Sequence, residues 1–422
     1  MNKYRIILCI LLFSLTITKG QVNTYNPYSS YAIGQLSPVG HNYNISMGGL
    51  GTSLASNQYL NYTNPASYSF LDRTSFEFGM RSSFINMFQN NTKQKNFISG
   101  LTSIGLGFPI SNRFGLSASL LPYSSVGYNV QTNRTINSIS LDPLAESTTI
   151  IEGSGGINKF LLGTSFKILK NLSFGANINY LFGSIEREEH LYTNPLQWHL
   201  REINAKFIRG FNFDFGLLYF HLMEDYKFNM GFSVRPAKEI NTQSQTVRVR
   251  SLGEIYYPAN PDNEIQIDEV SNHQTNFPLE SSVGISIEDN KKWLLGLDYK
   301  YINWDNYYEL GKNTCCMQNS HEFIFGGFFT PKKDDIYNYF NRVQYRFGLS
   351  YSSGYLDYIN HFSGTLGLAL PINRVVSTLN IALKYGVMSP SELMVNPIKE
   401  QYFSIYLSMT LNEKWFQKIK IQ

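Results

Sequence analysis

Residue types that could do chemistry are present but never assembled. His41, His190, His199, His221, His273, His321 and His361 are scattered, with no pair at metal-ligand spacing. His321-Glu322 lacks the second histidine of a zinc-protease helix and sits in a strand-like alternation. Met47-Gly48-Gly49-Leu50-Gly51-Thr52-Ser53 is glycine-rich like a phosphate loop, yet no lysine follows and no parallel strand precedes it. It reads as a tight bend that lets the backbone pack closely. Gly153-Ser154-Gly155-Gly156 reads as a turn beside a strand, and Glu186-Arg187-Glu188-Glu189 as a solvated loop face rather than a cation site. Cys315 and Cys316 are adjacent and could bridge only with strain, so they are expected to be a loop feature. The expectation is a protein that is not an enzyme and needs no cofactor or metal.

The elements that carry these residues are set by composition. Phe, Tyr and Trp make up 15% of 422 residues, whereas Asp, Glu, Lys and Arg make up only 16%, against about 25% in soluble domains. Residues 1–20 read as a signal peptide: Lys3 and Arg5 precede an apolar stretch from Ile6 to Ile17, and Gly20 precedes the expected cut. Cys9 lies too early for acylation. Without Lys3, Arg5 and Lys19 the chain carries 32 basic and 31 acidic residues, which excludes the basic face a nucleic acid would need. Beyond residue 20 no apolar run approaches the roughly 18 residues of a spanning helix.

What does recur is alternation with a period of two, as in Leu172-Ser-Phe-Gly-Ala-Asn-Ile-Asn-Tyr180 and Phe211-Asn-Phe-Asp-Phe-Gly-Leu217. Such segments put one apolar and one small or polar face on a strand. Counting them along the chain predicts about 14 strands of 9–13 residues, with Phe and Tyr near their ends. A tilted membrane-crossing strand needs about 9–11 residues, and backbone groups in lipid must all be paired. The predicted fold is therefore all-β, a transmembrane antiparallel β-barrel over residues 74–422. Short connections such as Pro109–Arg113 and Lys170-Asn171 alternate with long polar ones at Ile185–Asn204, Lys238–Phe277 and Tyr307–Ser320. Weak alternation at Gln245–Arg250 suggests a hairpin in the second of these. Residues 21–73 break the pattern and are expected to fill the lumen as a plug, with a periplasmic extension as the alternative. Gly175, Gly216, Gly284, Gly348 and Gly367 fall on the small face and would leave room for a plug or a ligand. Charged residues look sparse on that face.

Ser46-Met-Gly-Gly-Leu-Gly-Thr-Ser-Leu-Ala55, then Asn61-Tyr-Thr-Asn-Pro-Ala-Ser67 just ahead of the first strand, resembles the hatch of the FadL-like long-chain fatty-acid transporter family. Tyr345–Gly354 and the closing stretch Tyr402–Phe416 are also similar to uncharacterised relatives of that family. The resemblance implies a 14-stranded outer-membrane barrel plugged by its N-terminus. It makes Gly48, Gly49, Gly51, Asn64, Pro65 and Ala66 the plug-motif residues. It also implies passive uptake of a hydrophobic small molecule such as a fatty acid, released sideways through a strand kink into outer-membrane lipid. The wider family includes non-transporting parts, among them a type IX secretion protein. The alternative is thus an accessory subunit in an outer-membrane secretion or assembly complex.

Overall fold

The computed structural model describes residues 24–38, 40–90, 92–136, 145–194, 198–252, 264–289, 292–309, 312–313, 317–356, 359–372, 377–391 and 397–415. The expected signal peptide and Cys315-Cys316 lie outside them. Fourteen strands form the wall: β2 (Thr74–Gln89), β3 (Thr92–Pro109), β4 (Phe114–Ile136), β5 (Ala145–Lys167), β6 (Leu172–Asn194), β7 (Trp198–Met223), β8 (Tyr226–Arg235), β11 (Leu279–Asp289), β12 (Trp293–Asn303), β15 (Ser320–Phe329), β16 (Gln344–Ser353), β17 (Ile359–Pro371), β18 (Thr378–Pro390) and β19 (Lys399–Glu413). Each pairs antiparallel with its neighbours, and β19 closes on β2 from Lys399↔Phe88 to Glu413↔Thr74. The period-two alternation sorts side chains as expected. In β7, Phe211, Phe213, Phe215 and Leu217 are exposed on the outside, while Asn212 and Asp214 are buried inside.

Tilted strands of 10 or 11 residues, as in β8, β11, β12, β15 and β16, suffice to cross a bilayer. β4 to β7 are 23–26 residues long. The long loop expected at Ile185–Asn204 is therefore mostly strand, because β6 and β7 stay paired from Leu172↔Tyr219 to Thr193↔Trp198. Within Lys238–Phe277 the described residues are likewise sheet, as the Gln245–Arg250 alternation suggested. β9 (Lys238–Leu252) and β10 (Glu264–Phe277) form a hairpin, and β9 pairs with the upper part of β7. In this extension Arg248 salt-bridges Glu202 at 2.7 Å, and Glu188 takes both Arg201 and His190. Gly153–Gly156 is also no turn but the middle of β5. Gly155 and Gly156 have φ of +104° and +153°, and a Cβ on either would strike the carbonyl oxygen of Ser184 or Ser124. They bend a continuous strand.

Residues 24–38 and 40–73 run inside the wall. They hold β1 (Gln35–Leu36), the short helix α1 (Asn42–Ile45) and 3-10 turns at Pro27–Ser30 and Pro65–Phe70. The rest of the secondary structure is small: β13 (Tyr308–Glu309), β14 (Lys312–Asn313) and helix α2 (Tyr339–Arg342). Two kinds of core result. Near the short-turn end the wall's inner face is small and polar and meets the plug. Higher up it becomes aliphatic, and Leu181, Ile185, Ile208 and Ile240 pack with Ile33, Trp304 and Tyr307. Pairing on both sides of the wall strands predicts resistance to detergent. Unheated protein in dodecyl sulfate gels should migrate away from its boiled form, and identical mobility would overturn the barrel.

Candidate functional site: the plug and its wall

Plug and wall are joined by hydrogen bonds that use the plug's free backbone amides. After α1 the chain must reverse, and Gly48 and Gly49 do so with φ of +77° and +104°, where a side chain would be strained. The reversal aims successive N–H groups outward. Gly48 N donates to Thr365 Oγ1 at 2.9 Å. Gly51 N and Thr52 N both donate to Asp298 Oδ2 at 2.7 Å, and Leu60 N donates to Glu77 Oε1 at 3.0 Å. Gly51 has no unusual φ; its missing side chain leaves room for Thr63 and Asn44.

Asn64 caps the second 3-10 turn, since its Oδ1 accepts from Ala66 N at 3.0 Å. Its Nδ2 donates to Thr52 O at 2.7 Å and to the wall at Leu217 O, 3.0 Å. Pro65 opens that turn, where its fixed φ fits and its missing N–H is not needed. Ala66 is wholly buried. The six plug-motif residues meet the wall at separate places: Gly48 at β16 and β17, Gly49 near Ile324 of β15, Gly51 at β12, Asn64 at β7, and Pro65 and Ala66 at β6. The five inward glycines explain themselves at these contacts. A Cβ on Gly216 would lie 2.1 Å from Asn64 Oδ1, and one on Gly348 2.1 Å from Gly48 N. Gly175, Gly284 and Gly367 abut Pro65, Thr52 and Ser46 in the same way. The space they leave holds plug.

A stacked aromatic pair makes a further anchor. Tyr43 and Tyr59 lie face to face at 4.4 Å, and the Arg346 guanidinium sits 4.8 Å from both ring centres. Arg346 also donates to Asn380 Oδ1 at 3.1 Å. Beside them His41 is fully buried, with Nδ1 2.8 Å from Ser103 Oγ and 3.4 Å from Glu77 Oε2. Burial, and then the Arg346 charge, bring its pKa down to about 3, so the ring Glu77 meets is neutral.

Charges are not sparse on the lumen face, contrary to the sequence reading. Asp214, Arg235, Glu280 and Lys300 are linked across β7, β8, β11 and β12. Arg235 bonds Asp214 at 2.6 Å and Glu280 at 2.7 Å, and Lys300 bonds Glu280 at 2.8 Å. Asn177 ties Asp214 to Tyr68 of the plug at 3.2 Å on each side. The three ion pairs form a cross-brace between four strands. The reading missed these residues, although one signal was present: Asp214 and Asp298 are charges in the middle of membrane strands, which always need an inward partner. Between this brace and the N-terminal segment is a cavity of about 290 Å³, lined among others by Arg81, Asp214, Arg235, Glu280, Lys300 and Glu400.

One join in the wall is incomplete. β3 pairs with β4 only from Ile104↔Leu120 to Pro109↔Gly115. Above that, Thr102 is an extra residue in β3 and Tyr123 an extra residue in β4, next to Pro122, which has no N–H. The strands part, and the N-terminal segment takes the edge of β4. Gln35 and Leu36 pair with Ser125 and Ser124, and Asn26 N donates to Gly127 O at 2.7 Å.

A fourteen-strand wall with its N-terminus packed inside defines a class, the plugged outer-membrane channel fold of FadL type. The chain is similar to a Pseudomonas aeruginosa FadL homologue (TM-score 0.60, 13% identity, 90% of this chain and 99% of that one). It is also similar to the P. putida toluene transporter TodX (0.57, 14%, 92% and 100%) and the Ralstonia pickettii toluene transporter TbuX (0.57, 12%, 90% and 98%). At these identities the likeness is one of fold. No curated protein sequence matches. The BamG family profile matches residues 1–422, and the chain belongs to the BamG family.

Two outcomes follow from the anchors. Asp298→Ala leaves two buried amides without an acceptor, at a cost of about 1–3 kcal/mol. Limited proteolysis should then cut within residues 40–60 while the barrel keeps its heat-modifiable mobility; an uncut plug would show the carboxylate to be dispensable. For His41 the unfolded imidazole takes up a proton near pH 6.5, which the buried ring refuses until about pH 3. The His41 contribution to plug stability should therefore fall as pH drops through that window. His41→Asn should flatten the decline in thermal melts between pH 7 and 4.

Proposed function

We propose that this protein is a non-conducting outer-membrane barrel that acts as an accessory subunit of a β-barrel assembly machine. The observation that carries the reading is the filled interior. Plug amides are fixed to wall carboxylates, the level above them is cross-braced by paired charges, and the space that remains is only about 290 Å³, with charged as well as apolar side chains in its lining. A hydrophobic molecule passing inward would have to displace hydrogen-bonded plug and desolvate paired ions, which is strongly unfavourable. The family name points to the Bam assembly machine as the complex concerned. In this reading residues 1–20 are the export signal, residues 21–73 the plug, and outer-membrane lipid the medium around the exposed Phe and Leu rows.

The sequence-based preference for passive uptake of a hydrophobic molecule is the second reading. It is favoured by the parted β3–β4 join, which gives a sideways route, and by the fold shared with the toluene transporters TbuX and TodX. The N-terminal segment lies across that route.

Purification from the outer membrane in mild detergent separates the two. The subunit reading expects a stoichiometric complex with other assembly proteins and a silent isolated protein in planar bilayers. Isolation as a monomer carrying lipid or fatty acid would overturn it in favour of uptake. Deleting residues 24–60 should leave an inserting barrel that conducts and admits large antibiotics. If the deletion stays as tight as the parent, the plug is not what seals the lumen.

A further inference from the structure

We infer that the upper half of β3 is a docking edge for a transmembrane β-strand of another polypeptide. β2 satisfies one side of β3 from Gln89↔Thr92 down to Ser75↔Gly107. On the other side, among the described residues, no strand pairs with β3 above Ile104. Among the described residues the backbone of residues 93–102 thus has no strand partner on that side, a ready template for pairing.

The level of this edge decides what covers it. Phe97 and Phe84 touch on the outer face at 5.1 Å between ring centres, and Phe403 is paired with Phe84, marking the aromatic row at the upper membrane boundary. Residues 98–102 are below that row, in the hydrocarbon, where an unpaired peptide group has no water to turn to. Lys93, Gln94 and Lys95 lie above it and are exposed, so they guard the watery end of the edge against unwanted pairing. The part of the open edge left for a membrane strand is therefore residues 98–102.

The occupant is polypeptide in extended form. Lipid tails and hydrophobic small molecules offer no donors or acceptors, whereas a strand offers both at the right repeat. This molecule already uses the same device across the gap, where β1 adds to the edge of β4. The floor of the notch is closed by the N-terminal segment, with Tyr25 packed on Ile85, Met87 and Ile98 and Asn26 bonded to Gly127. An incoming strand is thereby kept in the wall and out of the lumen. Its lipid face would be apolar, to continue the Phe84–Phe97 row, and its other face small or polar. The inference needs only the open edge and stands apart from the subunit reading.

Amide hydrogen exchange on the full chain in mild detergent tests it. The probe is a synthetic peptide with the sequence of residues 401–412, which alternates as a membrane strand does. The control is the same peptide with prolines in place of the residues matching Ile405 and Met409. With the first peptide, alternate amides in residues 96–102 should exchange at least tenfold more slowly, and with the control or with laurate they should not change. Three results would overturn the inference: amides 96–102 as protected as β2 before any peptide is added, no slowing with the peptide, or equal slowing with laurate.

Discussion

The contact on which the rest depends is the carboxylate of Asp298 accepting both Gly51 N and Thr52 N. A barrel of fourteen short-sided strands cannot fill its own interior, and a glycine-rich segment cannot fold alone. Each supplies what the other lacks. The wall brings acceptors set at membrane depth, and the plug brings amides freed by the reversal at Gly48-Gly49. Glu77 repeats the arrangement with Leu60 N. The inward glycines then become necessary, because hydrogen bonds of this length to the wall leave no layer of side chains between backbone and backbone.

Much of the barrel was legible because its signal is local. Alternation along one strand reports two faces, and the apolar rows in β7 and β12 fell on the lipid side as expected. The turns at Gly48-Gly49 and Asn64-Pro65 were legible for the same reason. Gly-Gly and Asn-Pro-Ala are backbone statements that hold wherever the segment lies. What could not be read was pairing between distant elements. Asp298 shows its meaning only when residues 51 and 52 are placed beside it, and Arg346 only beside two tyrosines from either side of the hatch. The brace from Asp214 to Lys300 is drawn from four strands that sequence separates by hairpins.

Polar linkers misled for a physical reason. Outside the membrane an extended hairpin no longer needs an apolar face, so Ile185–Asn204 loses the alternation that marks a strand and keeps the pairing that makes one. The same holds at Gly153–Gly156, where glycines commonly end a strand and here bend one. The parted join between β3 and β4 left only faint traces, Pro122 and two extra residues. A bulge is an offset between two strands, invisible in either one.

The unequal strand lengths have an architectural outcome. At about 3.3 Å per residue and a tilt near 40°, β4 to β7 climb about 60 Å, twice the roughly 30 Å of hydrocarbon; β9 and β10 carry β8 and β11 upward beside them, while β12, β15 and β16 end near its edge. The outer rim is therefore stepped, with a screen over one arc and a low sill over the other. Bulky neighbours in the plane of the membrane can lean over the sill but not past the screen. The parted join stands at the foot of the screen's first strand, at the corner where height changes, so whatever arrives there is shielded on one flank and open to the bilayer on the other.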